Sequence, residues 1–226
     1  MLVKDWMTTD VITIGPEDTL PDAMRLMGEN NIHMLPVVKD GNLIGILSDR
    51  DVKRSWASDA TTLDKHELTY LLEQTKIKDV MTKKAITVPF DYTLAETAEV
   101  LFEHRISGVP VVDHSDKIVG VITQDDLFRE MVTLAGVKER GILFAVEVED
   151  QPGTVRDVTG VIRKFGGRMA SIMVSYDHVP EGHRRVYIRM YAVDRSRLDK
   201  LKEEIKAKAK MLYMVDLREN VREIFE

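Results

Sequence analysis

The chain has 226 residues, no cysteine, 44% hydrophobic and 31% charged residues, and a formal net charge of −6 at pH 7. That length buries a sizeable core and accommodates one large domain or two small ones. The composition excludes long disorder, a disulfide scaffold, a thiolate metal site and a cysteine nucleophile, and it offers no basic footprint for nucleic acid. The opening Met1-Leu2-Val3-Lys4-Asp5 lacks a basic lead followed by an apolar run, so no signal peptide is expected. No stretch approaches ~20 uninterrupted apolar residues, so no membrane span is expected and a cytoplasmic location is the default.

The first 130 or so residues are one unit written twice. Val3-Lys4-Asp5-Trp6-Met7-Thr8 returns 74 residues later as Ile77-Lys78-Asp79-Val80-Met81-Thr82. In each copy an apolar stretch, Val11–Ile14 or Ala85–Val88, reads as a strand. A helix follows, with Leu20, Ala23, Met24 and Met27 on one face in the first copy and Leu94, Ala98, Leu101 and Phe102 in the second. Two more strands come next; in the first copy they run Leu35–Val38 and Leu43–Leu47 around Asp40-Gly41, a hairpin signal. Ile32 to Val38 maps onto Ile106 to Val112, and after one inserted residue Ile44 to Ser48 maps onto Val119 to Thr123. A second helix is predicted to start at Ser48 or Thr123. Short strands alternating with helices predict a small α/β sheet covered by helices.

Between the copies, Ser55 to Lys76 is longer than a minimal connection. His66-Glu67-Leu68-Thr69-Tyr70-Leu71-Leu72 has helical spacing, and packing is its expected role, since His66 and Glu67 at adjacent helical positions point apart.

Each copy ends in Ser/Thr-x-x-Asp, Ser48 with Asp51 and Thr123 with Asp126. The pattern reads as a capping box, with the hydroxyl capping the helix and the carboxylate reaching back. It equally reads as a ligand site: a helix N-terminus offers N–H groups to phosphate, and an ionised Asp accepts from ribose hydroxyls. Both readings can hold together. Arg50 and Arg54, which follow the first motif, are candidate phosphate contacts or solvated charges. Asp125 stands where the first copy has Arg50, so two sites of unequal preference are expected.

Past Gly136 the repeat stops. A strand Ile142–Val148, the turn Asp150-x-Pro152-Gly153, a helix Thr154–Phe165 closed by Gly166-Gly167, strands Met169–Ser175 and Arg185–Val193, a helix Arg195–Lys210 and a strand Met211–Leu217 make the order βαββαβ, a ferredoxin-like layout. The turn also reads as an Asp N-cap with Pro in the first helical turn.

The Asp-x-Met-Thr opening, the x-Pro-Val-Val strand and the Gly-apolar-apolar-Ser/Thr-x-x-Asp ending, each found twice, resemble the cystathionine-β-synthase (CBS) domain over residues 1–136. The Asp-x-Pro-Gly turn resembles an ACT domain. The whole order resembles the bacterial acetoin-utilisation regulatory protein family. These resemblances imply an α/β (α+β) chain: CBS repeat 1 at 1–60, a helical insert or linker at 61–76, CBS repeat 2 at 77–136 and an ACT domain at 140–226, the repeats forming a pseudo-twofold pair. They imply a regulatory protein, not an enzyme, that senses AMP, ADP, ATP or S-adenosylmethionine in the cleft between the repeats, with Mg2+ compatible with ATP and no catalytic cofactor. The implied binding set is Thr8, Val11, Ile12, His33, Ser48 and Asp51 with Thr82, Ala85, Ile86, Arg105, Thr123 and Asp126; the ligand turn of the ACT resemblance is Asp150, Pro152 and Gly153. A homodimer and an unidentified target protein are the implied partners, with no nucleic acid and no membrane. The rival readings are a dimeric scaffold that binds no ligand and a nucleotide-hydrolysing enzyme, for which no Ser/His/Asp order, His-x-x-x-His pair or Walker loop appears.

Overall fold

In the computed structural model, which describes residues 1–59 and 74–225, the chain divides into two units, Met1–Leu127 and Phe128–Glu226. The expected helix at His66–Leu72 lies outside the described residues. The first unit contains α1 (Leu20–Asn30), β1 (Met34–Lys39), β2 (Asn42–Ser48), α2 (Asp49–Asp59), α3 (Ile77–Val80), β3 (Val88–Pro89), α4 (Leu94–His104), β4 (Gly108–Val112), β5 (Ile118–Thr123) and the start of α5 (Gln124–Leu134).

Helices α1 and α4 start at equivalent capping boxes, in which Thr19 faces Asp22 and Thr93 faces Glu96. Both stop on a residue in the left-handed conformation, Asn31 at φ 51° and Arg105 at φ 53°. The α1 stripe buries Leu20, Ala23 and Met27 but leaves Met24 38% exposed. In α4 the sequence reading is corrected more strongly: Phe102 is 84% exposed, and Thr97 is fully buried instead. Thr97 tolerates burial because its hydroxyl donates to the Thr93 carbonyl at 3.1 Å.

β1 and β2 form the expected antiparallel hairpin, turning at Asp40 (φ 51°) and Gly41 (φ 78°). The expected strand Val11–Ile14 is mostly irregular: only Ile14 pairs, in parallel with Val37. In the second copy the strand is confined to Val88–Pro89, parallel to Val111–Val112. The apolar residues before it pack sideways rather than pair, Ile12 against one core and Ile86 against the other.

The leading segments of the copies are exchanged. Thr8 pairs with Val121 of the second copy, and Thr82 with Ile46 of the first; each pair makes two backbone hydrogen bonds of 2.9–3.0 Å. Val3 is fully buried in the core of the second copy (Val88, Leu101, Val109, Val111, Ile122). Ile77 is fully buried in that of the first (Leu20, Leu35, Val37, Leu47). The copies also meet at Met34 and Gly108, where a β-carbon on the glycine would lie 3.3 Å from Met34 Cε. These are equivalent positions of the repeat, so a pseudo-twofold axis passes between them.

The second unit contains the remainder of α5, then β6 (Ile142–Glu149), α6 (Thr154–Lys164), β7 (Arg168–Ser175), β8 (His183–Tyr191), α7 (Leu198–Lys206), β9 (Lys210–Asp216) and β10 (Val221–Ile224). Its antiparallel sheet has the order β10-β9-β6-β8-β7, which is the ferredoxin-like order with one added edge strand. Val158, Val161 and Ile162 of α6 and Leu201 and Ile205 of α7 pack on Phe144, Val146, Ile188 and Met190 of the sheet. The last helix starts at Leu198 rather than the expected Arg195, because Asp194 accepts from Ser196 N–H and starts a separate 3-10 turn, and it ends at Lys206, short of the expected Lys210, which begins β9. On the same unit Arg189, 6% exposed, forms no ion pair with a carboxylate among the described residues; its Nε donates at 2.6 Å to the carbonyl of Ala135, just past the end of α5. A helix C-terminus is electronegative, which favours a buried cation there.

Candidate functional site

Ser48 ends β2 and Thr123 ends β5, and each begins a helix whose first turn carries the Asp. Asp51 is 7% exposed. Its Oδ2 accepts from Ser48 N–H at 2.9 Å and from Ser48 Oγ at 2.6 Å, while Ser48 Oγ accepts from Asp51 N–H at 3.3 Å. The second copy repeats this: Asp126 Oδ2 accepts from Thr123 N–H at 3.0 Å and from its hydroxyl at 2.7 Å. The capping box is therefore formed in both copies. It fixes one carboxylate oxygen and aims the other away from the cap.

That other oxygen, Asp51 Oδ1, accepts from Arg54 at 2.7 Å, a cation one helical turn on whose side chain is 78% exposed. Sequence reasoning gave Arg54 no partner, although the spacing of three within a helix allows this pair. Beside it, Lys53 bonded to Asp49 at 2.9 Å, with His33 nearby, holds the Asp49 carboxyl below the usual range.

The helix N-termini are less open than the sequence suggests. Asp49 N–H donates to the His33 carbonyl at 3.0 Å and Gln124 N–H to the Ser107 carbonyl at 2.9 Å, while the N–H groups of Asp51 and Asp126 are taken by the capping hydroxyls. These four donors are committed to the fold.

His33 thus enters through its backbone, and its side chain is exposed. Arg105 is exposed and terminates α4. Thr8 and Thr82 lie on the exchanged segments, two residues before Thr123 and Ser48 in the paired strands: Thr8 faces Val121 and Thr82 faces Ile46. Val11, Ile12, Ala85 and Ile86 are half-buried.

In the C-terminal unit, the N-cap of α6 is Gly153 at φ 100°, not Asp150. Asp150 instead pairs with Arg184 at 3.2 Å, and Arg184 also donates to Thr154 Oγ1 at 3.2 Å. Arg184, 34 residues away and invisible to local pattern, holds the Asp150-Pro152-Gly153 turn. A cavity of about 460 Å³ lies beside it, lined by Glu147, Glu149, Thr154, His183, Lys208 and Lys210 among others. Among the described residues no three His, Asp or Glu side chains gather as a metal site would require.

The CBS domain profile matches residues 3–58 and 77–133. This chain belongs to the CBS domain family. An inosine-5′-monophosphate dehydrogenase of Korarchaeum cryptofilum is 35% identical over 141 residues, 62% of this chain but 26% of that protein. The chain therefore spans about a quarter of that relative. The CBS domain-containing protein YhcV of Bacillus subtilis is 32% identical, covering 55% of this chain and 81% of its own length. Among solved structures, the CBS domain pair of protein MJ0100 in complex with 5′-methylthioadenosine and S-adenosyl-L-methionine shares 29% identity at a TM-score of 0.50, covering 58% of this chain and 99% of that one. Protein MJ1225 of Methanocaldococcus jannaschii shares 28% identity at a TM-score of 0.52, covering 57% of this chain and 47% of its own.

Proposed function

We propose that this chain is a regulatory sensor, without catalytic activity of its own, that binds an adenosine compound between the two CBS copies. AMP, ADP, ATP and S-adenosylmethionine are the candidate ligands, with Mg2+ accompanying ATP. Asp51 and Asp126 are the ribose acceptors, and Val11, Ile12, Ala85 and Ile86 flank the base. The observation that carries this reading is the shielded Asp51 carboxylate, fixed at one oxygen by a cap whose hydrogen bonds recur around Asp126 in the second copy. A relative solved with two adenosine ligands supports the ligand class.

The C-terminal unit is a second sensor of the ACT type, supported by its strand order and by the cavity beside the Asp150-Pro152-Gly153 turn. In the same proposal the chain works as a cytoplasmic homodimer, with repeats at 1–60 and 77–136 and the second sensor at 140–226. It controls acetoin or related carbon metabolism through a target protein. Occupancy shifts the population of conformers, which requires that the ligand bind two states with different affinity.

Isothermal titration with AMP, ADP, ATP and S-adenosylmethionine tests the ligand. Asp51→Ala and Asp126→Ala are each expected to abolish one site. Absence of binding below ~1 mM for all four compounds would favour a scaffold, and ATP turnover lost in Asp126→Ala would favour an enzyme.

A further inference from the structure

We infer that Arg54 selects for a phosphate-bearing ligand at the first site by occupying the carboxylate oxygen that a ribose needs. The inference rests on the assignment of Asp51 as a ribose acceptor. A carboxylate offers about four lone-pair positions. Ser48 N–H and Oγ take two on Oδ2, and the Arg54 guanidinium takes one on Oδ1 at 2.7 Å. A ribose diol donating two hydrogen bonds finds one position left, so Arg54 must move.

Its departure has different consequences for different ligands. Asp51 is 7% exposed, and a neutral nucleoside that displaced the guanidinium would cover the carboxylate while removing its counter-charge. A ligand with a 5′-phosphate carries its own anion within one arginine length of the ribose, so the freed guanidinium gains a bidentate partner as it loses Asp51. With its side chain 78% exposed, Arg54 can swing without unpacking the core. Two of the backbone groups that could have done this work are engaged, Asp49 N–H by His33 and Asp51 N–H by Ser48. Arg54 therefore opposes a neutral ligand and assists an anionic one from the same position.

The test is the ratio of AMP to adenosine affinity, measured by titration calorimetry on the full chain carrying Asp126→Ala to silence the second site. Adding Arg54→Met, which keeps the aliphatic stem, is expected to weaken AMP about tenfold while adenosine binds equally well or more tightly. Arg54→Lys, a cation without the planar fork, is expected to fall between. A ratio unchanged in Arg54→Met, with AMP still bound, overturns the role of Arg54 and leaves the ribose assignment standing. If the Asp126→Ala chain binds neither compound although wild type binds AMP, the ratio is read in the otherwise wild-type chain, where the second site contributes equally to both proteins. If wild type itself binds neither, the adenosine reading and this inference fall together.

Discussion

A β-carbon placed on Gly120 would collide with the thioether of Met7 and come within 3.1 Å of the Thr8 carbonyl. Gly45 stands in the same relation to Met81 and Thr82, at 2.8 Å from each. These glycines open the Gly-apolar-apolar-Ser/Thr motif, and the structure gives their reason: the exchanged leading segment of the other copy crosses the strand there. Gly45→Ala and Gly120→Ala are each expected to lower stability by about 1–3 kcal/mol through overpacking. Urea denaturation checks this; unchanged midpoints would mean that the crossing segment yields freely.

The exchange makes a second prediction. Ile77 opens the second copy in sequence yet is fully buried in the core of the first. Ile77→Ala is expected to cost about 2–5 kcal/mol. Fragments 1–59 and 74–136 should each be poorly folded alone and regain secondary structure when mixed, because each carries the strand the other lacks. Circular dichroism of the separate and mixed fragments reads the outcome.

The elements themselves were largely legible, for physical reasons. Asp40-Gly41 supplies the left-handed residues a tight hairpin demands, and Ser48 and Thr123 cap the helices they precede. Apolar periodicity placed Leu20, Ala23 and Met27 correctly. It failed for Phe102 and Thr97, because periodicity alone does not register that a threonine hydroxyl can be satisfied by the preceding turn. The exchange was illegible because both copies open with closely similar residues, so either could serve either sheet. Within the site the capping motif was visible, but its consumption of the helix N–H groups was not; Asp49 N–H goes to His33, which pattern reading treated only as a side chain. The clamp of Arg184 on Asp150 depends on strand register, which no local pattern encodes.

A third prediction separates cap from ligand. Ser48 Oγ both donates to Asp51 and accepts its N–H. Ser48→Ala is expected to cost about 1 kcal/mol of stability, whereas Ser48→Thr should be nearly neutral because the second copy uses Thr123 in the same geometry. Denaturant midpoints of the two variants check this; an equal loss in both would show that the hydroxyl is not what stabilises the turn.

The fourth prediction concerns acid. Asp216 is 2% exposed, and burial by itself would raise its pKa. The opposing interactions are stronger: Arg195 donates to Oδ2 at 2.9 Å and to Oδ1 at 3.1 Å, and the N–H groups of Arg218 and Glu219 donate to Oδ1 at 2.9 and 3.2 Å. The carboxyl is held below the ordinary range as a result. A depressed folded-state pKa contributes stability that is complete above the unfolded value of about 3.9 and is lost as pH falls through the folded one. Asp216→Asn is therefore expected to be less stable than wild type at pH 7, by about 1–3 kcal/mol. The gap should close as pH falls below about 4, because protonated Asp216 can no longer accept as an anion. Taking the difference between the two proteins at each pH cancels the carboxylates they share. Paired urea denaturations at pH 7, 5 and 3 measure it, and a gap that stays constant down to pH 3 would show that Arg195 gains nothing from the charge on Asp216.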